Sequence, residues 1–226
     1  MKHLEKYKEN FIRFIVKCSA LKFGEFQLKS GRIAPYFLNA GMFNDGEKIK
    51  KLGEYYAEAI KEHFKEDFDG IYGPAYKGIP LCVAAVIGLQ KFGINKGFVF
   101  NRKEAKEYGM KDNLIGMPVA SGTSLILVDD VITSGKAIRE SLDVLKNYGD
   151  PKVRGIIISV DRQEKGTSEK NALNQVEEEL GIPIFSIVKL SEIIEVLHNK
   201  EVEGKIHIDD MMKGKIDKYL AEYGAK

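Results

Sequence analysis

Apolar positions along this chain change periodicity repeatedly, and each change marks an element. Residues 4 to 20 put Leu4, Tyr7, Phe11, Phe14 and Ile15 on one helical face. Residues 21 to 45 alternate or turn aromatic and are broken by Gly24, Gly31, Pro35 and Gly41, which predicts short strands. Residues 47 to 66 return to helical spacing. From there the pattern repeats as strand, loop, helix: strands are predicted at 68–73, 97–100, 124–128, 155–160 and 182–188, and helices at 79–92, 135–148 and 169–180. The tail from 208 to 223 reads as a packing helix, with Met211, Met212, Ile216, Tyr219 and Leu220 on its apolar side. The run Leu125, Ile126, Leu127, Val128 has no polar face, as in a central parallel strand covered on both sides. Together these patterns predict an α/β protein: a central, mostly parallel sheet with right-handed crossovers, flanked by helices, preceded by a small N-terminal lobe. Ligands are expected at the carboxyl ends of the strands. No repeat or low-complexity stretch divides the chain, so one domain over 1–226 is expected, with residues 1 to about 45 forming the lobe.

Composition narrows the function classes. The chain of 226 residues is 44% hydrophobic and 30% charged with a net charge of +2, which is too balanced to suggest nucleic-acid binding by charge. No apolar run approaches ~20 residues, so no membrane partner is expected. The N-terminus mixes charge with apolar residues and lacks a signal-peptide core. Cys18 and Cys82 sit in apolar surroundings and make no disulfide framework, which suits a cytoplasmic location. His3, His63, His198 and His207 show no metal-ligand spacing, and no Ser-His-Asp or Cys-His set can be argued.

The chemistry concentrates in LILVDDVITSGKA, residues 125–137. A buried strand runs into Asp129 and Asp130, and a small-residue loop then opens a helix at Thr133, Ser134, Gly135, Lys136 and Ala137. Unpaired N–H groups and the helix dipole make such a terminus an anion site. Carboxylates beside a phosphate cradle suit a ligand that carries hydroxyls or a divalent cation next to its phosphate. Neither G-x-x-x-x-G-K-[ST] nor G-x-G-x-x-G occurs. This stretch resembles the 5-phosphoribosyl-1-diphosphate (PRPP) motif of the type I phosphoribosyltransferases. The resemblance implies that family's fold, with the N-terminal lobe as a hood. It also implies PRPP contacts from Asp129, Asp130, Val131, Ile132, Thr133, Ser134, Gly135, Lys136 and Ala137.

Four further segments extend the resemblance. GPAYKGIP, residues 73–80, joins a strand to the apolar helix LCVAAVIGL and places Lys77 at its start. In the resembled family this loop holds the diphosphate and often contains a non-proline cis peptide, so Tyr76 and Lys77 are implied contacts. NRKEAKEYGMKDN, residues 101–113, is a charged loop with almost nothing apolar to bury, as lids often are. Here the resemblance narrows to the orotate phosphoribosyltransferases, whose catalytic loop closes over the diphosphate, largely from the neighbouring subunit of a dimer. Arg102, Lys103 and Lys106 are the implied catalytic cations, with Asp130 completing the catalytic set. Tyr108 departs from the histidine common there, so a neutral hydrogen-bond donor to phosphate is expected in its place. In FGEFQLKSGRIAPYFLNAG, residues 23–41, Lys29 is implied to contact orotate or PRPP. Phe37 and Leu38 would flank the pyrimidine, Leu38 standing where an aromatic is common. In SVDRQEKG, residues 159–166, Arg162 is implied to meet the base through the planar fork that a carboxylate edge needs. Thr133 is also placed toward orotate.

The resemblance covers roughly residues 7 to 200. It implies a transferase of pyrimidine biosynthesis, a glycosyltransferase that moves the 5-phosphoribosyl group from PRPP to orotate. Mg²⁺ would be held mainly through PRPP and waters near Asp129 and Asp130, and a homodimer would share its active sites. Two alternatives stand beside it: a phosphoribosyltransferase for another base, and a regulator of this fold that binds PRPP as an effector.

Overall fold

The structure, a computed structural model, describes residues 4–28, 31–103, 113–166 and 169–225. Helix α1 (Lys6–Lys17) leads into a hairpin of β1 (Leu21–Gln27) and β2 (Ile33–Leu38), followed by α2 (Gly46–Phe64). Then come β3 (Gly70–Gly73), α3 (Gly78–Leu89), β4 (Gly97–Asn101), β5 (Leu114–Gly116) and β6 (Ser124–Asp129). The second half runs α4 (Lys136–Lys146), β7 (Lys152–Asp161), α5 (Ala172–Leu180), β8 (Ile184–Lys189) and α6 (Leu190–Leu197). A small hairpin, β9 (Glu201–Val202) with β10 (Lys205–Ile206), precedes α7 (Asp210–Tyr223).

The central sheet has the order β5-β4-β3-β6-β7-β8, parallel except for β5, which pairs antiparallel on β4. The mostly parallel α/β architecture read from the sequence is therefore the one observed. The middles of its central strands, 125–128 and 156–158, are apolar because both faces are covered. Ile126 and Val128 of β6 join a cluster with α1, α2, α3 and α6, whereas Leu125 and Leu127 face Ile138 and Leu145 of α4 and Val176 of α5. After β3 the chain crosses to β4 on one side and later returns to β6 on the other. Between the carboxyl ends of β3 and β6 the strand order therefore reverses, which opens a crevice there.

Helix starts follow local chemistry. Asp45 caps α2 by accepting from the Lys48 N–H, and Asp209 caps α7 through the Met212 N–H. In the hairpin, β1 bulges between Phe23 and Phe26, opposite Pro35, which has no N–H to give to a ladder. Buried Ala34 and Tyr36 anchor β2, and α7 packs against it, so the C-terminal helix supports the N-terminal lobe.

Four elements escaped the sequence pattern. Strand β5 is three residues long, too short to show a period, and α6 follows β8 with no linker. Strands β9 and β10 have two residues each. In α7, Ile216 and Tyr219 are buried as expected, but Met211 is 69% exposed because the first turn reaches past the core.

Candidate active site

The two loops at the crevice are shaped by close approach. A Cβ on Gly73 would lie 2.0 Å from the Gly78 carbonyl oxygen, so the GPAYKG turn closes only with glycine at that position. Inside the turn the Ala75–Tyr76 peptide is cis. The Ala75 N–H donates to Asn101 Oδ1 at 2.9 Å, tying this turn to the end of β4. Beside it, the Arg102 N–H donates to the Asn113 carbonyl at 2.7 Å, which joins the residue after β4 to the residue before β5. Lys103 Nζ stands 5.1 Å from the centre of the exposed Tyr76 ring, a cation–π contact between the two loops.

Asp129 and Asp130 end β6 at the other side of the crevice. The Asp130 carbonyl accepts from the Ser159 N–H and Oγ, and the Asp129 carbonyl accepts from Tyr56 OH at 2.7 Å, so the backbone here is held from β7 and α2. Asp130 Oδ1 accepts from the Val131 N–H, while its Oδ2 meets Lys77 Nζ at 2.7 Å. That ion pair joins the β3 loop to the β6 loop. Asp129 has no cation of its own: its Oδ1 accepts only the Asp130 N–H among the hydrogen bonds of the described residues. Burial, and then the negative charge of Asp130, push the Asp129 carboxyl up to about 7.

The loop after Asp130 turns into α4 at Gly135, whose φ of +70° and whose contact with Val176 exclude a side chain. No side chain caps α4, which leaves its first N–H groups open to an anion. Arg139 braces the loop by donating to the Ser134 carbonyl and, through Nε and Nη2, to both oxygens of Glu179. Thr133 and Ser134 are exposed, Ile132 is buried, and the Lys136 side chain points to solvent beside Glu140. Residues 133–137 thus offer mainly backbone to the crevice.

A cleft of about 850 Å³ connects this phosphate-type loop to the hood. Lys77, Ile132, Thr133 and Ser134 line one end; Phe37, Leu38 and Arg162 line the other. A chamber of about 60 Å³ between Phe37, Leu38, Val131 and Arg162 lies at the hood end. Phe37 is 40% exposed and stacks on Phe26 with ring centres 5.6 Å apart, so its free edge faces the opening. Lys29, Lys106 and Tyr108 lie outside the described residues. Phe37, Leu38, Lys77, Ile132, Thr133, Ser134 and Arg162 line the cleft, Val131 lines the chamber, and Tyr76, Lys103, Asp129 and Asp130 stand at the crevice beside it, whereas the Lys136 side chain turns to solvent. Sequence reading did not find Tyr56, Asn101, Arg139, Ser159 or Glu164. Tyr56 meets Asp129 across 73 positions, and no local spacing signals such a partner.

The sequence matches the family model of the phosphoribosyl transferase domain over residues 39–188. An orotate phosphoribosyltransferase of Clostridium botulinum (strain Alaska E43 / Type E3) is 47% identical over 224 residues, covering 99% of this chain and 100% of that relative. Among solved structures, the orotate phosphoribosyltransferase of Francisella tularensis superposes with a TM-score of 0.82 at 37% identity, covering 96% of this chain and 100% of that one. The Mycobacterium tuberculosis H37Rv orotate phosphoribosyltransferase in complex with PRPP gives a TM-score of 0.62 at 19% identity, covering 83% of this chain and 98% of that one, a likeness of fold alone.

The raised Asp129 carboxyl has a consequence for stability. Folding holds its proton between about pH 4, the unfolded value, and about 7, so this group's contribution falls as pH rises through that window. Asp129→Asn keeps the acceptor for the Asp130 N–H and removes the charge. The variant, free of ligand and with a chelator present, is expected to be more stable than the parent at pH 8 by about 1–2 kcal/mol, with the difference vanishing near pH 4. Denaturant melts across that range measure it, and parallel pH profiles for the two proteins would refute the electrostatic account.

Proposed function

The chain belongs to the phosphoribosyl transferase family and within it to the orotate phosphoribosyltransferases, and from that premise we propose how its residues carry the reaction of orotate with PRPP to orotidine 5′-monophosphate and diphosphate. The observation that carries the assignment of roles is the single cleft running from Lys77, Thr133 and Ser134 to Phe37, Leu38 and Arg162. It offers cation and open N–H groups at one end, and an apolar wall with a guanidinium at the other. PRPP carries a phosphate and a diphosphate on a hydroxylated ribose, whereas orotate is a flat ring with one carboxylate, and the two ends match that difference.

In this reading the 5-phosphate sits on the N–H groups of residues 134–137, in the field of the α4 N-terminus. Asp129 and Asp130 accept from the ribose hydroxyls. Lys77, with Tyr76, faces the diphosphate, and Lys103 beside Tyr76 is already in reach of the same region. Cleavage of the C1–diphosphate bond builds positive charge on the ribose ring and negative charge on the leaving oxygens. Arg102, Lys103 and Lys106 stabilise the latter, a contribution that grows along the reaction coordinate and so lowers the barrier. Phe37 and Leu38 sandwich the pyrimidine, Arg162 takes its carboxylate edge, and Lys29 and Thr133 complete the contacts between base and PRPP. No covalent nucleophile is required, because positioning and charge stabilisation suffice.

Mg²⁺ fits this donor set. Asp129 makes no ion pair among the described residues, and burial, followed by the charge of Asp130, raises its carboxyl, so a cation nearby would favour its charged form. Among the described residues no three His, Cys, Asp or Glu groups converge as a metal cage, so the chain's share would be the Asp129–Asp130 pair acting through waters. When bound, the ion supplies charge neutralisation of the diphosphate. Tyr108 acts as a neutral donor to phosphate. The cytoplasm is the proposed compartment, supported by the free, buried Cys18 and Cys82; among the described residues no helix is long and apolar enough to cross a membrane.

The active unit is proposed to be a homodimer with shared sites. The segment after Lys103 has almost no apolar residue with which to pack on its own subunit, and its cations gain most where diphosphate charge develops.

Purified protein with PRPP and Mg²⁺ is expected to consume orotate, followed by its absorbance, and to leave uracil, hypoxanthine and adenine unchanged. Turnover of any of those three in preference to orotate would move the chain to another base. Lys106→Ala is expected to lower kcat by ~10²-fold or more, as removal of one preorganised donor does. Mixing Lys106→Ala subunits with subunits carrying Asp129→Asn and Asp130→Asn should restore activity, since one site per mixed dimer then has an intact cradle and an intact loop. Verified subunit exchange without recovered activity would place the loop in its own subunit's site.

A further inference from the structure

A buried carboxylate needs partners, because losing water costs it several kcal/mol. Glu164, 8% exposed, has three, and they come from three regions of the chain. Its Oε1 accepts from Tyr36 OH of β2 at 2.7 Å and from Tyr219 OH of α7 at 3.3 Å. Its Oε2 lies 3.5 Å from Arg162 Nη2. The rings of Tyr36 and Tyr219 meet edge to face, with centres 5.9 Å apart. Backbone bonds fasten the same junction: the Lys165 N–H donates to the Tyr223 carbonyl and the Ala225 N–H to the Gln163 carbonyl, both at 2.9 Å. Burial, reinforced by Glu164, raises the Tyr36 hydroxyl and pushes Tyr219 up to about 12, so both remain donors at neutral pH.

The consequence for Arg162 follows from geometry. Its side chain is 22% exposed and lines both the small chamber and the large cleft. A guanidinium on a flexible stem recognises a planar anion well only when its orientation is fixed beforehand. Glu164 pairs with one Nη at 3.5 Å and, like Arg162, lines both the chamber and the cleft, so the carboxylate fixes the guanidinium from the side while the rest of the fork faces the same space. The tyrosines satisfy the other carboxylate oxygen without adding positive charge, so Arg162 is the cation that Glu164 orients.

We propose that Glu164 is a positioning residue for base selection: held by Tyr36 of the hood and Tyr219 of the C-terminal helix, it aims Arg162 at the orotate carboxylate and makes α7 part of the base site. This rests on the reading of Arg162 as the orotate contact. A tie that only held α7 to the hood would affect stability and both substrates alike; a positioning role acts on orotate.

Steady-state kinetics of the full chain separate these. Glu164→Gln keeps size and a hydrogen-bond acceptor but removes the charge facing Arg162. It is expected to raise the orotate KM about tenfold while the PRPP KM stays within about twofold, the scale of one charge-assisted contact. Tyr219→Phe should move orotate KM in the same direction by about threefold, the scale of a neutral hydrogen bond. In an Arg162→Ala background, Glu164→Gln should cost nothing further, because the group it positions is gone. The proposal is overturned by an equal rise in both KM values, or by an undiminished Glu164→Gln cost in that background. Should Glu164→Gln fail to fold, an unchanged orotate KM in Tyr219→Phe overturns it. If Arg162→Ala raises the orotate KM and Glu164→Gln does not, positioning alone fails. If Arg162→Ala leaves the orotate KM unchanged, the base contact itself is misassigned and the proposal falls with it.

Discussion

Two adjacent carboxylates at the end of a buried strand cannot both be neutralised from within their own loop, and the site is organised around that constraint. Asp130 takes Lys77 from the neighbouring β3 loop at 2.7 Å, whereas the Asp129 carboxyl, raised by burial and by Asp130, has no ion pair among the described residues. The backbone that carries the pair is held from outside the loop, by Ser159 of β7 and Tyr56 of α2. Packing therefore fixes the carboxylates in place, and their charge is left for a ligand to satisfy. In the proposed reading, ribose hydroxyls and a hydrated cation would satisfy it, and the uncapped α4 beside them would accept the ligand's phosphate. The Lys77–Asp130 ion pair that spans the crevice is also a contact that an incoming diphosphate can replace.

The reversal of strand order between β3 and β6 gives this arrangement its position. Both loops leave the sheet at the same end, so the cation of one meets the carboxylates of the other. The base end is built differently. There the hood hairpin, the loop after β7 and α7 meet around Glu164, and the supporting contacts run between residues far apart in sequence. One end of the cleft thus builds on contiguous motifs that distant residues brace, and the other on long-range packing.

That division explains what could be read from the sequence. The apolar run 125–128, the acidic pair and the small-residue loop are contiguous, and their physical requirements are local: a strand buried on both faces, a glycine at positive φ, an open helix start. All three were legible, as were the parallel strands and, α6 excepted, the helices that cover them. Strand β5 was not, because three residues show no period and its pairing depends on β4. Glu164 stood in a segment already singled out for Arg162, yet nothing in that segment marks it, since two of its partners lie 128 and 55 positions away. Asn101 was similarly hidden: its side chain holds a turn 26 positions earlier.

The central claim is that PRPP lies across the β3–β6 crevice and takes over the charges that now pair there. A crystal structure with PRPP and Mg²⁺, without orotate, tests it directly. Ribose hydroxyls are expected within about 2.6–3.2 Å of Asp129 or Asp130 oxygens, the 5-phosphate on the N–H groups at the start of α4, and Lys77 moved from Asp130 to a diphosphate oxygen. A phosphate bound away from α4, or Lys77 still on Asp130 with the diphosphate held elsewhere, would contradict the account.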